Sequence, residues 1–124
     1  MAESRGRIVR GIAVLLGVVM IAGGAAKLGG APMQVAAFAR WGLPAWFRAL
    51  VGTFEVIGGA LMIAPATAPF GSAILATIMV GALWAHAAAG EWMQLIPVAV
   101  LLTLFAVVFR RYSHHVVHLL GAAS

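Results

Sequence analysis

The stretch from Ile8 to Leu28 reads IVRGIAVLLGVVMIAGGAAKL, with no ionisable residue and no proline between Arg10 and Lys27. At about 1.5 Å per residue, such a run forms a helix of roughly 30 Å, the thickness of a bilayer's hydrocarbon core. Gly29-Gly30-Ala31-Pro32 ends it, because the glycines relax the backbone and Pro32 has no N–H to continue the ladder. The same pattern recurs downstream. Trp46 to Ala64 is a second apolar run, closed by Pro65 and Pro69, and Phe70 to Ala89 is a third. Gly90-Glu91 makes the next turn, Trp92 to Phe109 is the fourth run, and Arg110-Arg111 stops it. An open sheet could not span, since its edge would leave backbone groups unpaired in lipid. The expected fold is an all-α integral membrane protein, an antiparallel bundle of four transmembrane helices forming one membrane domain over 1–124. Between the first two spans, Met33 to Ala45 mixes Val35, Phe38 and Trp41 with Gln34 and Arg40. It reads equally as an amphipathic helix at the interface or as an ordered loop.

Composition agrees. Of 124 residues 64% are hydrophobic and only 9% charged, against roughly 25% charged in a soluble domain. So little polar surface cannot cover a water-facing exterior. The net charge of +5 resides mostly near the termini, where basic residues act as orientation signals rather than phosphate contacts, which argues against nucleic-acid binding. With no cysteine, disulfides, thiolate nucleophiles and cysteine-ligated metals are excluded. The N-terminal run exceeds the roughly 7–15 residues of a signal-peptide core and three more spans follow, so it is read as the first span.

Four spans put both termini on one side, together with Arg5, Arg7, Arg10, Arg110 and Arg111. Lys27, Arg40 and Arg48 fall on the other, and the imbalance predicts cytoplasmic termini. Depth along the spans then gathers the polar residues. Lys27 ends the first helix, Glu55 lies about 14 Å below the outer end of the second, and His86 lies about 24 Å along the third. All three fall in the outer half, with Arg48 peripheral to them. A carboxylate at the depth of Glu55 needs a partner, and Lys27 is the first candidate. Lys27, Glu55 and His86 are therefore the candidate catalytic residues, and a buried pair that merely fixes helix packing is the alternative. Trp41, Trp46, Trp84 and Trp92 map to the same half, as an aromatic belt or as a pocket lining. His114 and His118 have the i, i+4 spacing of a metal pair, but no carboxylate or cysteine lies nearby in sequence, and no metal is assigned to this tail.

Lys27-Leu28 at the end of the first span, Gly42-Leu43-Pro44 before the second, Gly52-Thr53-Phe54-Glu55 within it, and Gly81-Ala82 with His86 in the third make a recognisable order. In these residues the chain resembles the DoxX-like family of small bacterial membrane proteins. The resemblance covers Gly23 to His86, the fourth span matching only in hydrophobicity, and the histidine tail is no part of the pattern. It implies a four-helix protein of the bacterial inner membrane. Some relatives belong to redox systems, as a membrane subunit of thiosulfate:quinone oxidoreductase or a partner of superoxide dismutase in an oxidoreductase complex. The expected function is a component of a redox or stress-response system that binds a quinone or another small lipophilic molecule in the outer half. A small proton-coupled exporter and a structural or assembly subunit are the alternatives. An oxidoreductase subunit is the expected partner. The stripes of small residues, such as Thr77, Gly81 and Ala85, invite association of copies into a homo-oligomer.

Overall fold

The computed structural model describes residues 2–123. In chain order the helices are α1 (Ala2–Leu28), α2 (Pro32–Arg40), α3 (Ala45–Ile63), α4 (Ala68–Ala88), α5 (Leu95–Tyr112) and α6 (His114–Ala123), with a short 3-10 turn over Trp92–Gln94 before α5. There is no strand among the described residues. Among the described residues, four segments are long and apolar enough to cross a membrane: α1, α3, α4 and Trp92–Tyr112.

α1 starts well before the apolar run. Hydropathy marks where lipid begins, whereas the helix itself continues outward, with Glu3 in its first turn 3.8 Å from Arg7 one turn on. The segment read as either an interfacial helix or a loop contains α2. Pro32 sits in its first turn, where a missing N–H costs nothing, and Gly42 (φ +71°) ends it while the Leu43 N–H donates to the Phe38 carbonyl at 2.9 Å. Phe38 is buried and Met33 exposed, so α2 presents one face to the bundle.

α3 lies between α1 and α4, α4 lies between α3 and α5, and α1 touches α5 only lightly. The α1–α3 contact is made backbone to backbone. A Cβ on Gly24 would lie 2.5 Å from the Gly52 carbonyl oxygen, and one on Gly52 would lie 2.8 Å from that of Gly24. Gly17 and Gly59 repeat this arrangement, at 2.6 Å in both directions. Numbers rise along α1 as they fall along α3, so these helices run antiparallel. In lipid, where apolar side chains gain nothing by leaving solvent, such close approach is a main source of helix association. The opposite side of α3 uses Gly58, whose added Cβ would meet Leu75 of α4 at 2.9 Å.

Met62, Leu75, Phe105 and Val108 are fully buried between the helices, while Leu15, Val18, Ile57, Val80 and Val100 face outward as lipid contact requires. The hydroxyls of Thr53, Thr77 and Thr103 donate to carbonyls four residues back, at 2.8, 2.9 and 2.9 Å, and so present no unpaired donor to lipid.

Substituting Gly24 by alanine is expected to destabilise the protein by about 1–3 kcal/mol, the usual range for overpacking. Gly81→Ala, where an added Cβ has nothing within 4 Å, serves as the control and is expected to be neutral or slightly stabilising. Thermal unfolding in one detergent compares the two directly. Equal shifts would mean that the glycine contact does not set the packing.

Candidate functional site

The Gly24–Gly52 contact sets the register that brings Lys27 over Glu55. A Cβ on Gly52 would lie 2.9 Å from the Lys27 Cβ, and one on Gly24 would lie 3.0 Å from the Glu55 Cβ. With the backbones this close, Lys27 in the last turn of α1 reaches Glu55 in the middle of α3. Its Nζ lies 3.0 Å from each carboxylate oxygen. The Glu55 side chain is 3% exposed and that of Lys27 14%, so the pair is nearly removed from solvent. Two charges at this depth tolerate burial only as a pair.

Arg48 plays a different part. Its Nε donates to the Lys27 carbonyl at 3.1 Å, satisfying an end carbonyl of α1 and steadying the turn that carries Lys27. It neither reaches Glu55 nor lines the cavity described below.

His86, in the last turn of α4, bonds to neither member of the pair. Its partner is Glu91, three residues beyond the helix. Gly90 (φ +73°) closes α4, and the Glu91 N–H returns to the His86 carbonyl at 2.8 Å, the paired turn that commonly ends a helix at glycine. That backbone bond brings the two side chains together, with His86 Nδ1 2.9 Å from Glu91 Oε1. The same oxygen accepts the Trp41 indole N–H at 2.9 Å, while Oε2 accepts the Nε–H of Arg40 at 3.0 Å and lies 3.0 Å from its Nη2. Three side chains thus converge on one carboxylate. The Trp41 ring meets the His86 ring edge-on at 5.0 Å. The hydrogen bonds from Trp41 and His86, aided by the Arg40 guanidinium, hold the Glu91 carboxyl below its usual value of 4.5, against partial burial that pushes it up.

Glu91 is the residue that sequence reasoning missed. Gly90-Glu91 reads as a turn in the sequence, and a glycine just after a helix predicts a backbone bond from the following residue to the one five positions back, here His86. That signal was present.

Both groups line one partly open cavity of about 710 Å³, bounded by α1, α3, α4, α5 and α2. Lys27 and Glu55 contribute from α1 and α3, and His86 and Glu91 from the end of α4. The remaining lining is mostly apolar, including Met20, Phe47, Met79 and Val98. Val19 and Trp84 line it as well, although they are 50% and 67% exposed on the outside of the bundle. Trp84 therefore faces both cavity and lipid, and Trp41 belongs to the Glu91 cluster. In the tail, the rings of His114 and His115 lie 4.2 Å apart, and His115 stacks on Tyr112.

Residues 11–109 match the sequence model of the DoxX-like family. No curated protein and no solved structure matches the chain.

The lowered Glu91 pKa has a definite consequence for pH. Its contribution to holding α2 against the end of α4 is complete above about pH 4.5 and is lost as pH falls through the lowered folded value. Hydrogen exchange of the α2 amides is expected to be slow at neutral pH and to accelerate in that acid window, after correction for intrinsic rates. In Glu91→Gln it should be fast throughout and insensitive to this titration. A wild-type acid dependence retained in that variant would assign the effect to another group.

Proposed function

The chain belongs to the DoxX-like family, and from that premise we propose that it binds a small lipophilic molecule carrying a polar head, a quinone being the leading candidate, as a membrane component of a redox or stress-response system. The cavity carries this reading. It is apolar over most of its wall and offers polar groups at two places, the usual composition of a small-molecule site. An isoprenoid or acyl tail suits the apolar lining, and a carbonyl or hydroxyl head suits the polar groups.

The residues would divide the work. Lys27, held by Glu55, supplies a cation whose remaining N–H bonds can reach a carbonyl oxygen. With the Glu91 carboxylate accepting from Nδ1, a neutral His86 ring would keep its proton on that nitrogen and offer Nε2 as the acceptor for a ligand hydroxyl. A head group that gains or loses protons would thus meet a donor on one side and an acceptor on the other. Arg48 is a positioning residue, acting through the end of α1. A purely structural role for the ion pair remains the competing reading, and the same experiment separates the two.

A photoreactive quinone analogue in proteoliposomes is expected to label peptides from α1, α3 or α4, and excess unlabelled quinone should suppress the labelling. Breaking the pair by one substitution leaves a buried charge, at a loss of about 3–5 kcal/mol, so the informative variant is Lys27→Met with Glu55→Gln. It is expected to recover part of the stability lost by either single change while labelling falls at least fivefold. Wild-type labelling in that stable double variant would make the pair a packing element. Coupled flux of a cationic dye, with no quinone labelling, would favour the exporter.

The orientation we propose has both termini in the cytoplasm, on the basic asymmetry of the flanks. Reporter fusions after Ser124 and at Gly90 are expected to give cytoplasmic and periplasmic signals respectively. The reverse pattern would invert the bundle and move the cavity to the cytoplasmic half.

A further inference from the structure

A second polar site lies at the opposite end of the bundle, where the start of α1 meets the end of α5. An open groove of about 930 Å³ there is lined by Arg7, Arg10, Arg111 and Tyr112, together with Glu3. Three guanidinium groups face one carboxylate. That carboxylate is 3.8 Å from Arg7 at the exposed rim, where an ion pair is weak. The other two side-chain carboxylates of the chain are committed elsewhere, Glu55 to Lys27 and Glu91 to Arg40, Trp41 and His86. No internal acid is left for Arg10 and Arg111.

Two details mark the groove as shaped rather than merely charged. Arg10 lines the groove, its Nη1 is buried with no hydrogen-bond partner among the described residues, and a buried donor left unpaired costs free energy until its guanidinium turns to an acceptor. The Arg111 guanidinium is held over the Tyr112 ring, 5.5 Å from its centroid, and lies against α1 at a point kept clear by Gly6, where an added Cβ would be 3.2 Å from Nη2. An acceptor able to serve Arg10 and Arg111 together must be anionic and carry several oxygens. The groove sits where α1 and α5 leave their apolar stretches, and the exposed Ile8 and Phe109, close in sequence to its lining residues Arg7 and Arg111, would be available to acyl chains. With the apolar stretches in the bilayer core, this would be the level of lipid phosphates.

We propose that this groove binds the phosphate of an anionic phospholipid, with Arg10 and Arg111 as its two clamps. The arginine fork suits phosphate oxygens, and basic pockets between spans at a membrane surface are recurrent headgroup sites. A headgroup there would join the start of α1 to the end of α5, two helices that otherwise touch little.

The test is native mass spectrometry of the full chain released from nanodiscs of equal phosphatidylglycerol and phosphatidylcholine, with thermal unfolding in detergent micelles doped with either lipid or with sodium phosphate. Retention of phosphatidylglycerol at least tenfold above phosphatidylcholine is expected, together with a rise in Tm from the anionic lipid alone. Arg10→Gln with Arg111→Gln should abolish the preference. Arg5→Gln removes one exposed charge from the same end outside the groove and should leave it within twofold. If the double variant does not fold, Arg10→Lys and Arg111→Lys singly keep the charge but lose the fork, and each should weaken retention at least threefold. Equal losses in Arg5→Gln and the groove variants would assign the effect to diffuse surface charge and overturn the proposal. Absence of lipid preference, or equal protection by sodium phosphate alone, would also overturn it, the latter by making the site one for a free anion.

Discussion

The backbone contact between Gly24 and Gly52 decides where the polar groups stand. In a soluble protein, burying apolar side chains would hold these helices together with some tolerance in register. In a bilayer that driving force is absent, and the helices settle where their backbones approach most closely. The contact lies one turn from both Lys27 and Glu55, so a shift of α3 along α1 would separate the charges and expose each to lipid alone. Packing and charge therefore enforce one another. The glycine pair permits the ion pair, and the ion pair penalises any other register.

Scarcity of acid organises the remaining chemistry. The chain has three acidic side chains, and two of them anchor the two polar walls of the cavity. Glu55 neutralises a lysine that could not otherwise reside at that depth. Glu91 gathers an arginine, an indole and an imidazole from α2 and the end of α4, and in doing so ties the short helix to the spans. With so few carboxylates, Lys27, Arg40 and His86 share the two at the cavity, Arg48 turns to a main-chain carbonyl, and the arginines near the termini lie where the helices leave their apolar stretches.

Much of this was legible from the residues. Uninterrupted apolar runs between proline and glycine stops located the four spans, because hydrophobic length is what a bilayer selects. Counting residues from those stops put Lys27, Glu55 and His86 in one half of the membrane, and the fold brings all three to one cavity. The contacts among them were less legible. Depth is a one-dimensional coordinate, and it cannot tell which face of a helix meets which neighbour. His86 therefore turned out to bond with Glu91 rather than with the Lys27–Glu55 pair, and Arg48 bonds a main-chain carbonyl rather than a side chain. The pairing of Trp41 and Arg40 with Glu91 joins residues 50 or so positions apart through the way α2 folds over the bundle, and no local pattern encodes it. The His86–Glu91 bond is the exception, since the glycine between them makes it local.

Trp84 and Val19 bear on how occupancy of the cavity must be measured. Each forms part of the cavity wall and is exposed on the outside of the bundle, so a hydrophobic guest of the kind proposed would arrive sideways, from a reservoir that is two-dimensional. Its chemical potential would be set by its mole fraction in the membrane and not by its aqueous molarity. A dissociation constant quoted against total concentration would then drift with the amount of lipid in the assay, rising as the guest is diluted into more bilayer although nothing in the protein has changed. Expressed per lipid, the same constant would hold steady, and a guest that is negligible in water could still saturate the protein.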